Sequence, residues 1–127
     1  MSKAVYDTRF FVEFYYSKDE KLLKRLREEK RQPEKYASTV VIHELYNLTI
    51  EREGREIAVL RVALLKQEFK VVPVSAEIAE ISAEFRHKYN LSMGDSIIAA
   101  TASSLKAMCI SDDPHFKRVK EIKTTWI

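Results

Sequence analysis

The sequence predicts an α/β fold, a parallel β-sheet covered by helices on both faces. Two observations predict it. Short apolar runs that read as strands alternate with helical stretches of roughly ten to fifteen residues, the spacing of β-α-β units. The strand runs are apolar without polar alternation, as in Lys3-Ala4-Val5-Tyr6, the pattern of strands buried on both faces. No internal repeat, low-complexity tract or linker interrupts the alternation, so the 127 residues read as one domain, 1–127.

The first strand, Lys3 to Tyr6, runs directly into Asp7-Thr8 and a helix. The aromatic stretch Phe10 to Tyr16 is too long to continue the strand and reads as a buried helix. Ser17 or Asp19 caps a second helix to about Arg31, whose narrow apolar face is Leu22, Leu23 and Leu26, and Pro33 closes it. Tyr36 to Thr39 is a second strand, followed by a helix from about Val40 to Glu53 with Gly54 at its C-terminal cap. A helix from about Arg55 to Phe69 places Ile57, Leu60, Leu64 and Leu65 on one side. Lys70 to Val74 is a third strand ending near Pro73. Ser75 then caps a helix to Tyr89 that buries Ile78, Ile81 and Phe85. Met93 to about Leu105 is small and apolar from Ile97 to Ala102, so this helix belongs at the centre. Ala107 to Ile110 is a strand, Pro114 to Val119 a short helix, and Glu121 to Thr125 the last strand.

Composition excludes several classes of protein. Hydrophobic residues at 46% and charged residues at 32% describe a globular chain rather than a disordered one. No stretch approaches the roughly 18 apolar residues of a membrane span, and the N-terminus lacks the apolar core of a signal peptide. The one cysteine, Cys109, has no internal partner and sits in an apolar run, which points to a reduced, cytoplasmic setting and a buried thiol. The net charge of +3 permits nucleic-acid binding without demanding it.

The chemistry concentrates in acids. Ligands of open α/β sheets bind beyond the carboxyl ends of the strands. Asp7 follows the first strand directly, and Asp112 and Asp113 follow the fourth in the same way, so both lie at one edge of the sheet. Glu44 stands in the largely apolar Thr39 to Leu48, and Asp95 opens the central helix as Gly94-Asp95-Ser96-Ile97. An ionised carboxylate among apolar neighbours is costly unless it is paired, caps a helix or binds a cation. Singly, each acid has an ordinary use: Asp7 or Asp95 could cap a helix, and Glu44 could pair with a buried Arg. Together they suggest a shared cation. Oxygen donors without a Cys or His cluster favour a hard ion such as Mg²⁺ or Mn²⁺. His43 and His115 each lie beside one of these acids but lack the spacing of a metal pair, and both read as structural or surface residues.

In order, these blocks resemble the PIN-domain family and, in overall length, the VapC toxins of toxin–antitoxin pairs. Val5-Tyr6-Asp7-Thr8-Arg9-Phe10-Phe11-Val12 looks like the opening strand and first acid. Ile42-His43-Glu44-Leu45-Tyr46 resembles the glutamate helix, Leu91 to Ala102 the most recognisable block, and Ile110-Ser111-Asp112-Asp113-Pro114-His115-Phe116 the closing motif. The resemblance implies a three-layer α/β/α fold with a five-stranded parallel sheet in the order 3-2-1-4-5. It implies RNA cleavage with Mg²⁺ or Mn²⁺, a homodimer and an inhibitory antitoxin. It carries over Asp7, Glu44, Asp95 and Asp113 as catalytic metal ligands, with Ser111 positioning the last acid and Asp112 as a substitute or assistant for Asp113. Asp7, Asp95 and Asp113 would hold the main ion, while Glu44 completes its shell, binds a second ion or orients the water. A freestanding PIN nuclease, or a module that keeps the fold without the reaction, would share these blocks. A glycine-rich phosphate loop is excluded, because the chain has two glycines in all.

An acidic centre that admits a polyanion needs basic surroundings. Lys21, Lys24, Arg25, Arg27, Lys30 and Arg31 crowd one helix, where Glu20, Glu28 and Glu29 make a plain solvated face the simpler account. Arg9, two positions after Asp7, is the better phosphate contact. Phe11, Phe14, Tyr15, Leu60 and Leu64 exceed the needs of one small core and suggest a dimer surface.

Overall fold

The computed structural model of the chain describes residues 2–127. Five strands, β1 (Ala4–Tyr6), β2 (Lys35–Ser38), β3 (Lys70–Val72), β4 (Met108–Ile110) and β5 (Thr124–Thr125), form a sheet in the order β3-β2-β1-β4-β5. Every neighbouring pair is parallel. Class, strand number and order are those expected. Among the described residues the strands are joined by α1 (Thr8–Tyr16), α2 (Glu20–Glu29), α3 (Thr39–Glu53), α4 (Arg55–Glu68), α5 (Ala76–Tyr89), α6 (Met93–Leu105) and a 3-10 turn at Pro114–Arg118.

The strands are only two to four residues long, so burial of their faces, more than the ladder, holds the sheet. Val5, Tyr6, Ala37, Cys109 and Ile110 are buried on the sheet, and Ile98, Ala99, Ala100 and Ala102 of α6 pack into the same core. The small residues of α6 let it lie close over the sheet, as its composition predicts. Tyr6, Phe10, Phe11 and Phe69 interlock edge to face, with Tyr6–Phe10 ring centroids 4.8 Å apart and Phe11–Phe69 5.0 Å apart. Such pairs contribute roughly 0.5–1.5 kcal/mol each beyond the area they bury. They lock the start of α1 to the end of β1, which fixes Asp7 between them.

Several expectations need correction. The helix α4 turns Leu65 inward with Ala58 and Val62, parted from Ile57, Leu60 and Leu64, which are exposed. Its sequence carries two apolar stripes, and periodicity could not say which one meets α3. Phe11 is buried, and Phe14 and Tyr15 pack against the core, so these three are not free surface. The last strand is shorter than expected, two residues that pair with Cys109 and Ile110 of β4. Cys109 is buried, as expected, and its burial pushes the thiol pKa up.

Candidate metal centre

β1 and β4 are neighbours, with Val5 opposite Cys109 and Tyr6 opposite Ile110, so the residues that follow them emerge side by side. The Asp7 N–H donates to the Ile110 carbonyl at 3.1 Å, extending the ladder to the acid itself. Asp7 is the N-cap of α1: its Oδ1 accepts from the Thr8 N–H at 2.8 Å. Its Oδ2 accepts from Ser111 Oγ at 2.6 Å, and Ser111 Oγ in turn accepts from the Asp113 N–H at 3.0 Å. One hydroxyl therefore ties the first acid to the last. Ser111 positions Asp7 as well as Asp113, more than its place in the motif suggests.

Asp113 is the N-cap of the 3-10 turn, and its Oδ1 accepts from the His115 N–H at 2.9 Å. Asp112 points elsewhere. It is exposed and takes a two-point contact from Arg9, Nε to Oδ1 at 3.0 Å and Nη2 to Oδ2 at 3.3 Å. Arg9 also pairs with Glu13 at 2.7 Å. The guanidinium proposed for phosphate is thus committed to two carboxylates.

Ser92, not Asp95, is the N-cap of α6; its Oγ accepts from the Asp95 N–H at 3.2 Å. Asp95 is the third residue of that helix, leaving its carboxylate free of the capping role, and it benefits from the positive end of the helix dipole. Glu44 lies one and a half turns into α3 and accepts from the Thr8 hydroxyl, the residue next to Asp7. Gly94 explains how Glu44 fits. A Cβ at this position would lie 2.6 Å from Glu44 Oε2, so the carboxylate occupies the space a side chain would take. Thr8 and Gly94 escape prediction because their roles depend on contacts across the fold.

The electrostatics show four acids acting on one another. Asp7 is 3% exposed, and burial pushes its pKa up to about 7, against the hydrogen bonds from Ser111 and Thr8 and with further upward pressure from Asp95 and Glu44. Burial, then Asp113 and Glu44, push Asp95 up as well. Among the described residues no Lys or Arg pairs with Asp7, Glu44, Asp95 or Asp113. The one basic partner among the described residues is His115, whose Nδ1 is 3.0 Å from Asp113 Oδ1 and 3.8 Å from Asp95 Oδ2. Donor atoms of Asp95, Asp113 and His115 all lie within 4.8 Å of one another; Asp7 and Glu44 stand outside this tight group, coupled to it by charge. Oxygen donors that repel each other and lack a fixed counter-charge fit a divalent cation.

Basic residues are present but separate. Lys21, Lys24, Arg25 and Arg27 are exposed along α2 and make no ion pair among the described residues, whereas Lys30 pairs with Glu68 at 2.9 Å. Two surface concavities, of about 630 and 690 Å³, open at the opposite edge of the sheet, around Lys3 and Met108 and around Lys35 and Lys70. None of the acids lines either. No helix is long and apolar enough to cross a membrane among the described residues.

Comparison with known proteins agrees with this architecture. A chain of DNA-bound VapBC from Salmonella typhimurium superposes with a TM-score of 0.81 at 17% identity, covering 99% of this chain and 98% of that one. VapC20 from Mycobacterium tuberculosis, described as a sarcin-ricin loop cleaving toxin, gives 0.79 at 22% identity, covering 93% and 95%. A chain of a toxin–antitoxin complex from Klebsiella pneumoniae gives 0.75 at 21% identity, covering 98% and 100%. These likenesses are of fold. No curated protein sequence matches significantly. The family model described as PIN domain matches residues 4–122, from the first strand to just short of the last, and the chain belongs to the PIN-domain family.

Proposed function

We propose that the chain is an Mg²⁺- or Mn²⁺-dependent endoribonuclease, the VapC-like toxin of a toxin–antitoxin pair, with Asp7, Glu44, Asp95 and Asp113 as its metal-binding catalytic acids. The observation that carries the reading is geometric: Ser111 ties Asp7 to Asp113, Glu44 sits against Gly94 beside Asp95, and Asp95 and Asp113 offer donor atoms within 4.8 Å of each other. Among the described residues no Lys or Arg is in an ion pair with any of the four. Family membership supports the nuclease, and likeness to chains of VapBC complexes supports an antitoxin partner.

A divalent ion, when bound, supplies a more acidic water and offsets negative charge at the phosphodiester. The protein's part is to hold that charge in place. Asp7 is fixed by Thr8 and Ser111, Asp113 by Ser111 and the turn that follows, and Asp95 by the capped start of α6. Glu44, held by Thr8 and seated on Gly94, completes the shell or orients the attacking water. Thr8 and Ser111 thus act as positioning residues. The free cations of α2 supply long-range attraction to an RNA backbone. A cytoplasmic homodimer completes the reading, the exposed strip on α4 being apolar surface that one chain leaves uncovered. The test is RNA cleavage by purified protein with and without divalent ion, and by its acid variants.

A further inference from the structure

We propose that His115 is a direct nitrogen ligand of the metal centre, joining Asp95 and Asp113 through Nδ1. This rests on the metal-centre reading above and adds a donor type that the four carboxylates do not provide.

The distances carry the argument. Around an octahedral ion with bonds of ~2.1 Å, adjacent donor atoms lie about 3 Å apart and opposite ones about 4.2 Å apart. His115 Nδ1 stands 3.0 Å from one Asp113 oxygen, the adjacent-donor separation, and 3.8 Å from one Asp95 oxygen, between the adjacent and opposite separations, so a small rotation of the exposed ring brings both to bonding positions. All three donors lie within 4.8 Å of one another. The turn also fixes the backbone that carries the ring. Pro114 occupies the first position of the 3-10 turn and restricts its backbone. Phe116 is fully buried and anchors the other side, while the His115 N–H is bound by Asp113. Among the described residues the imidazole contacts no other acid.

Imidazole suits transition ions better than it suits Mg²⁺. A His that only orients Asp113 from outside the shell acts through its neighbour, so removing it weakens every ion to a similar degree. A His that binds the ion directly acts on the nitrogen-preferring ions first.

The experiment uses the full chain and its His115→Gln variant, loaded with Mn²⁺ alone and studied by pulsed electron paramagnetic resonance. Mn²⁺ and Mg²⁺ affinities are measured in parallel by titration calorimetry. The expected result is an imidazole nitrogen coupling in the wild type that disappears in His115→Gln. Mn²⁺ affinity should fall several-fold in the variant, with a markedly smaller loss for Mg²⁺, because Mn²⁺, though it also takes oxygen donors, is the one of the two that accepts imidazole. Mn²⁺ bound to the wild type without that coupling overturns the proposal and leaves the metal centre standing. An equal loss for both ions overturns it too, making His115 an outer partner of Asp113. Failure of the wild type to bind Mn²⁺ overturns both readings at once.

Discussion

Ser111 Oγ donates to Asp7 Oδ2 at 2.6 Å across 104 residues of chain, and this bond closes the site between two adjacent strands. It does not relieve Asp7 fully, since burial still outweighs it and the pKa is pushed up to about 7.

The pH dependence of the metal-free protein follows. In the unfolded chain Asp7 titrates near the usual ~3.9. Between that value and about 7 the folded chain holds a proton that the unfolded chain has released. The stability from Asp7 is therefore complete below about pH 4 and is lost as pH rises through about 7. Melting temperature in EDTA, measured from pH 5 to 8, should fall more in the wild type than in Asp7→Asn, which keeps the cap. Identical pH profiles for the two proteins contradict the raised pKa.

Asp95→Asn separates ligand from helix residue. Removing one repelling charge should raise metal-free melting temperature by a few degrees, at roughly 4 °C per kcal/mol for a domain this size. Added Mg²⁺ should stabilise the wild type and not the variant. Calorimetry with and without the ion reads both, and metal-induced stabilisation that survives in the variant defeats the assignment.

Gly94→Ala tests how Glu44 is seated. The new Cβ meets the end of a flexible side chain, so the fold should tolerate it, helped by alanine's better helix propensity of up to ~1 kcal/mol. Glu44 must move, and metal affinity should drop several-fold while melting temperature holds or rises. An unchanged affinity means Glu44 does not contribute to the centre.

Assembly has a direct check. Ile57, Leu60 and Leu64 form an exposed apolar strip on α4, and Ile50 of the neighbouring α3 is exposed as well. Sedimentation at micromolar concentration should show a symmetric dimer. A monomer under those conditions contradicts the expectation.

The layout of the fold was legible because buried parallel strands and capped helices leave local signatures. Asp19 and Ser75 cap their helices where the sequence patterns place them, while α6 is capped by Ser92 rather than by Asp95. The inward face of α4 was not legible, since both of its stripes are apolar and only packing chooses between them. Within the site, Asp7 and Asp113 could be read from strand ends. The contrast between Asp113 and its neighbour could not, because it depends on Arg9 drawing Asp112 away. His115 escaped for a related reason. Its distance from Asp95 is set by the juxtaposition of α6 and the 3-10 turn, which no spacing along the chain encodes.

The central claim is tested most directly by RNA cleavage, comparing wild type with Asp7→Ala and Asp95→Ala on one single-stranded substrate. Single strands suit an acidic site because their backbone can bend towards it and their bases are free. The account predicts cleavage by the wild type with Mg²⁺ or Mn²⁺, none in EDTA, and a loss of at least about a hundredfold in either variant. Cleavage that persists in EDTA and in Asp95→Ala contradicts it.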